Sequence, residues 1–414
     1  MLYQKPVNEI TWGDVEEFCA QQIPENVTLD YKRDFSGDLK KLIAAFANTN
    51  GGIILIGVAE GENNQPETPI SGIDPANGLT ERVTNIAISN ISPPVIPEVQ
   101  VCPNEDGSKV VIVVRVHASD MAPHAISNTT RVYVRNNNVT TPVEADLDRV
   151  EWLKNQRSES VKFREQLIER AHERYRYYFG RQFRTDLTVG QADGAGIPSF
   201  GLFSLSMCPL YPKEMLVTSS ELNERLESFR VRDLYQRNFP LPNKGRGRFS
   251  QDGVILVQEG DENGYYTDLS GFGLYFFKQV LLSFHGDRQQ HGSSCMHASH
   301  IIGRVLSFIF SAEKYFSQIG YHGPLEFIAN LEVVRDCPLL RLTEPYYPGE
   351  ELLHSPDANI LHKENVPAAA NLRENKLEYI VRCIQTLFHA FDFQISQEVI
   401  EGKFNQHVEA QGNG

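Results

Sequence analysis

The sequence predicts an α+β protein of two domains, the first an α/β layer structure built on a mixed sheet and the second a separate α+β domain. Three observations predict it. Runs such as GGIILIGVA and KVVIVVRVHA have the length and branched apolar content of buried strands, whereas DLKKLIAAFANT and LEYIVRCIQTLFHAF carry apolar residues at helical spacing. The two kinds of segment mix through the first 155 residues, the pattern of sheet and helix packed in layers. A chain of 414 residues is also long for one core.

Taken in order, residues 1–24 are expected to contain a short helix, with Thr11 or Asp14 as its cap before VEEFCAQQI. TLDYKRDF reads as extended. The next segment places Leu39, Leu42, Ile43 and Phe46 on one helical face, with Asp38 near its start. GGIILIGVA follows as a strand covered on both faces. TERVTNIAISNIS is a helix ended by Ser92-Pro93-Pro94. PEVQVCPNEDGSKVVIVVRVHA is a hairpin turning at Asn104–Ser108, and RVYVRNNNVTTPVE a strand pair or strand-turn in which three asparagines suggest an irregular or bulged turn. DLDRVEWLKNQ closes the unit as a helix.

Domain limits follow from composition. Residues 1–155 form the first domain and 156–187 a charged connector helix, followed by a Gly-rich stretch at 188–201. Residues 188–406 form the second domain, with strands near 201–208, 214–218, 253–258 and 325–333 and helices near 221–228, 297–318 and 373–393. The tail, 407–414, is expected to fray.

Hydrophobic residues make up 41% and charged residues 22%, the balance of an ordinary soluble protein. No apolar run reaches membrane-spanning length, and the N-terminus lacks a basic region followed by an apolar one, so neither a membrane partner nor a signal peptide is expected. Six scattered cysteines without a CxxC pair fit reduced thiols in a cytoplasmic protein. The net charge of −14 argues against non-specific binding of nucleic acid over the whole surface, though not against a local basic groove. The apolar helices LSFIFSAEKYF and LEYIVRCIQTLFHAF read as core elements or as faces of a homo-oligomer.

Several constellations carry potential chemistry. Asn48-Thr49-Asn50-Gly51-Gly52 is either a helix C-cap or a backbone cradle for phosphate, and the cap is the commoner use of such glycines. With no GxxxxGK[ST], a Walker-type nucleotide loop is not supported. Glu25, Asp30 and Glu60 are either solvated strand-end acids or carboxylates gathered around a divalent cation. Lys32 shares the face of Asp30 on an extended strand and Arg33 takes the opposite one; each reads as a phosphate contact or as an ion-pair partner. Arg135 is similarly placed, and His124 reads as structural. In HERYRYYFGRQFR, Arg174, Arg176, Arg181 and Arg184 interleave with aromatics, which suits either RNA contact or an amphipathic helix laced with ion pairs. Lys244, Arg246 and Arg248 form a second basic stretch. His291, Cys295, His297 and His300 have poor zinc spacing, so an ordinary loop is expected there and no zinc.

The ordered combination ExxxxDYK, AFANTNGG and LIGVAEG, with the later SPPV, Pro123-His124 and YVRNNNVTTPVE, resembles the Schlafen AlbA-like domain family over about residues 20–150. That resemblance implies a metal-dependent endoribonuclease acting on structured RNA such as tRNA, in stress or antiviral defence. Carried onto this chain, the metal and catalytic positions are Glu25, Asp30 and Glu60, holding Mg2+ or Mn2+, with RNA favoured over DNA. Asp30 stands where the pattern has Glu, and Glu60 where it has Asp. Lys32, Arg33, Arg135, Arg174, Arg176, Lys244, Arg246 and Arg248 would contact the nucleic acid. The alternatives are a non-catalytic DNA- or RNA-binding regulator and a nucleotide-sensing module.

Overall fold

The computed structural model describes residues 2–3, 5–136, 139–183, 201–234, 237–241, 247–258, 264–281, 283–285, 293–334, 337–341 and 352–412. The chain divides into two compact units, Met1–Glu159 and Ser160–Gly414.

The first unit contains α1 (Trp12–Ala20), β1 (Leu29–Lys32), α2 (Leu39–Ala47), β2 (Gly52–Ile56), α3 (Leu79–Asn90), β3 (Glu98–Pro103), β4 (Val110–Val116), β5 (Tyr133–Asn136) and β6 (Val139–Glu144). Helix α4 (Leu147–Phe183) begins in it and runs on into the second. Thr11 and Asp14 cap α1 reciprocally, side chain to backbone in both directions. The main sheet has the order β1-β2-β4-β3. β1 and β2 are parallel, joined through α2, and the other pairings are antiparallel.

Alternation along these strands explains why their sequences are apolar throughout. Ile53, Leu55, Val111 and Val113 pack with α1 residues Val15 and Phe18. Ile54, Ile56, Ile112 and Val114 pack on the other face with Leu42, Ile43 and Phe46 of α2 and Val83 of α3. The same alternation puts Leu29 and Tyr31 in the first core. It sends Asp30 and Lys32 to the α2 side.

Gly51 makes the turn between α2 and β2. Its φ is +71°, and a Cβ there would lie 2.6 Å from the Val116 carbonyl oxygen. Its N–H donates to the Phe46 carbonyl at 2.9 Å, closing the end of α2. The glycine therefore serves as a helix terminator and a point of close backbone approach.

In the second unit, a seven-stranded antiparallel sheet has the order β8-β9-β10-β11-β7-β13-β14. These are β7 (Gly201–Pro209), β8 (Arg248–Phe249), β9 (Gly253–Val257), β10 (Tyr266–Ser270), β11 (Tyr275–Leu281), β13 (Leu325–Glu332) and β14 (Asn359–Val366). β12 (Ser293–His297) lies outside this sheet. Leu167, Ala171, Tyr175 and Phe179 of α4 cover one face. The other carries α6 (Ala298–Gln318), with α5 (Ser219–Glu224), α7 (Ala369–Glu374), α8 (Lys376–His389) and α9 (Gln397–Gly412) around it.

Four expectations are corrected. The closing helix and the connector are one helix, because no Gly or Pro interrupts LKNQRSESVKF. Residues 214–218 form no strand: Leu216 and Val217 both donate to the Gly271 carbonyl, and Thr218 caps α5 with Glu221. Part of the His/Cys segment expected as a loop is β12, with Cys295 buried. The described part of the tail, 407–412, does not fray. α9 continues to Gly412, His407 is fully buried against Phe310, and the Gln411 side chain both donates to and accepts from the Arg232 backbone. The Gly-rich segment 188–200 lies outside the described residues. Among the described residues no helix is long and apolar enough to cross a membrane, and all six cysteines are buried free thiols.

Candidate functional site

The buried charges of the first unit gather at β1. Asp30 is 1% exposed. Its Oδ1 pairs with the Lys32 ammonium and its Oδ2 accepts from Arg135 Nη1 at 3.1 Å. Lys32 Nζ also lies 3.7 Å from Glu25 Oε1 and donates to the Tyr31 carbonyl at 3.0 Å. Glu25 Oε1 accepts the Tyr31 N–H at 2.7 Å. Two carboxylates thus face two cations.

Arg135 reaches this cluster because β5 breaks register. Pairing with β6 shifts between Val134 and Asn136, and such an irregularity re-aims the side chain it contains. The guanidinium is wholly buried. It lies 5.0 Å from the Phe46 ring centroid, and its Nη2 donates to the Asn26 carbonyl at 2.6 Å. The Arg135 N–H donates to Thr49 Oγ1 at 3.0 Å, fastening β5 to the turn after α2. Arg135 is therefore an internal counter-ion, the ion-pair alternative, and its burial corrects the expectation of a phosphate contact.

Burial pushes the Glu25 carboxyl up to about 7, with the nearby Asp30 charge the next cause and Glu60 a smaller one. Burial also pushes Asp30 up, while Lys32 and Arg135 pull against it. Glu60 is exposed, in the loop after β2, bridged to Pro66. The Glu25 N–H donates to Asn64 in that same loop at 2.8 Å, which is how the two acids approach.

The resemblance implies a divalent cation on Glu25, Asp30 and Glu60, and the donor set as folded does not fit one. Both Asp30 oxygens already face cations. Among the described residues no group of three or more His, Cys, Asp or Glu is disposed to hold a metal ion.

The other basic candidates separate by burial. Arg33 is 72% exposed, beside Glu67 at 3.4 Å. Arg174 bridges Asp252 and the fully buried Asp268 at 2.8 and 2.9 Å, the ion-pair use that its helix also allowed. Arg176 is exposed and pairs with Glu169 at 2.7 Å. Arg248 lies 5.8 Å from the Tyr178 ring. Lys244, Arg246, Arg184 and His291 lie outside the described residues.

Asn48 has a larger role than its place at a helix end suggests. Its buried amide donates to the His124 and Tyr133 carbonyls at 2.8 and 2.9 Å and accepts the His124 N–H at 2.7 Å. His124 is buried in turn, its Nδ1 donating to the Pro93 carbonyl at 2.7 Å, a structural use. In the sequence Asn48 stands within AFANTNGG at a helix end, which reads equally as a cap and gives no hint of its contacts to His124 and Tyr133.

Comparison with known proteins agrees with the first unit's motifs. The family described as Schlafen, AlbA_2 matches residues 25–144. No curated protein sequence matches the chain. Among solved structures, one likeness is to the N-terminal domain of a putative ATP-dependent DNA helicase RecG-related protein from Nitrosomonas europaea. It has 19% identity and a TM-score of 0.25, covering 29% of this chain and 86% of that one. Another is to the DIP2311 protein from Corynebacterium diphtheriae, with 20% identity and a TM-score of 0.23, covering 34% of this chain and 31% of that one. Both scores are too low to bear on fold or function. By its ordered motifs and the family match, the first unit carries a Schlafen AlbA_2 domain over residues 25–144.

Proposed function

We propose that the first unit engages nucleic acid, RNA in preference to DNA, and that it does so as a binding module. The domain family supports the nucleic-acid part. One observation carries binding over cutting: Asp30, one of the three acids that would serve cleavage, is already held between Lys32 and Arg135. Lys32 is partly exposed and Arg33 largely so, which leaves both open to a phosphate.

A second reading, a metal-dependent endoribonuclease acting on structured RNA such as tRNA in stress or antiviral defence, is favoured by a different observation. Glu25, Asp30 and Glu60 are close enough for both neighbours to raise the Glu25 pKa. That reading requires Lys32 to release Asp30.

Labelled tRNA and duplex DNA, incubated with the purified chain in Mn2+ or in EDTA, separate the two. Retarded but intact RNA in both conditions is expected. RNA fragments that form in Mn2+, vanish in EDTA and are lost in Glu25→Gln would replace the binding reading with the catalytic one. Absence of any complex would overturn both.

A further inference from the structure

We propose that the groove between the Asn50 turn, β5 and the start of α4 receives an unpaired base of single-stranded RNA, stacked on Trp152 and Arg149. The proposal rests on the nucleic-acid reading above and names where the first unit would hold its ligand. The groove has a volume of about 450 Å3, in the range of small-ligand sites, and Thr49, Asn50, Asn136, Glu144, Asp146 and Arg149 are among its lining residues.

The charge of this groove decides its ligand. Arg135 borders it, but that charge is committed to Asp30. Arg149 is then the remaining cation lining it, against the carboxylates of Glu144 and Asp146. Asp146 accepts the Arg149 N–H at 2.8 Å as a helix cap, and Glu144 lies 3.8 Å from the exposed Arg131. Such a balance repels a phosphate. It suits the edge of a base, where carboxylate and amide oxygens accept from an exocyclic amine.

The stacking surface adjoins the groove through Arg149, which lines it and packs on Trp152. The Arg149 guanidinium carbon lies 4.1 Å from the Trp152 ring centroid, and Trp152 is 44% exposed. Leu147 and Val143 are exposed as well. A planar cation packed on a partly exposed indole is the kind of platform on which single-stranded bases stack. An exposed tryptophan needs no polar partner from the base, so the platform supplies affinity and the acids supply selectivity.

The test uses the full chain with fluorescein-labelled adenylate and uridylate oligoribonucleotides, read by anisotropy. Trp12→Phe provides a background in which Trp152 is the sole tryptophan. Adenylate, which carries an exocyclic amine, should bind more tightly than uridylate and quench Trp152. Trp152→Ala should weaken binding about tenfold or more, and Trp152→Phe should restore most of it. If Trp152→Ala leaves adenylate affinity unchanged while the wild type binds, the groove is not the site and the nucleic-acid reading stands. If the wild type binds neither the oligomers nor tRNA, that reading fails too. If Trp152→Ala instead abolishes self-association seen by sedimentation, with no quenching by RNA, a second copy covers the platform and the inference is overturned.

Discussion

Arg135 and Asp30 are 105 residues apart in the sequence, and their side chains meet at 3.1 Å in the interior of the first unit. The pair holds β5 against β1, with Phe46 and the Asn26 carbonyl completing the surroundings of the guanidinium.

Breaking that pair should therefore act on folding. Arg135→Met leaves Asp30 buried with Lys32 alone and takes from the Asn26 carbonyl one of its two donors, leaving the Leu29 N–H, and a loss of about 3–5 kcal/mol is expected in urea unfolding. Arg135→Lys should restore only part of this, because one ammonium cannot reproduce the two-pronged contact to Asp30 and Asn26. A variant that folds as well as the wild type but binds RNA poorly would return Arg135 to the role of phosphate contact.

Glu25 should make stability depend on pH in an unusual sense. Its carboxyl is raised from 4.5 to about 7 in the folded chain, so between those values the native state holds a proton that the unfolded state has lost. Stability from this group is present below pH 4.5, declines as pH rises, and levels off above 7. Glu25→Gln mimics the protonated acid. It should leave the melting temperature at pH 5 nearly unchanged and raise that at pH 8 by about 3 °C or more. A rise of equal size at both pH values would remove titration of Glu25 as the cause.

Asn48→Ala removes three buried hydrogen bonds at once and leaves the His124 N–H and two carbonyls short of partners. A cost of about 2–4 kcal/mol is expected, with faster amide exchange at His124 measured by hydrogen–deuterium exchange. Were Asn48 only a helix cap, protection at His124 would not change.

Deleting residues 407–414 removes the buried His407 ring and both Gln411 contacts to Arg232. The second unit should lose about 2 kcal/mol or more and become more sensitive to limited proteolysis. An unchanged urea midpoint would restore the frayed tail.

Much of the first unit was legible because its signals are local. The Thr11–Asp14 cap, the α2 face and the β2 run each depend on neighbours within a few turns, and each formed where periodicity placed it. The face shared by Asp30 and Lys32 follows from the two-residue period of a strand. Less was legible in the second unit, where the strand expected at 214–218 gave way to a turn around Gly271. Competition between a cap at Thr218 and extended backbone is decided by what the chain packs against.

The sequence by itself determined which acids and bases the first unit carries, which strand face they occupy, and that Gly51 turns the chain between α2 and β2. Only the tertiary structure decided what those charges do. Whether a carboxylate waits for a ligand or is already neutralised depends on a partner from elsewhere in the chain, delivered here by the irregular pairing that turns Arg135 inward. Local spacing cannot encode that, because a buried ion pair is set by where distant strands meet and by the loss of water around both charges.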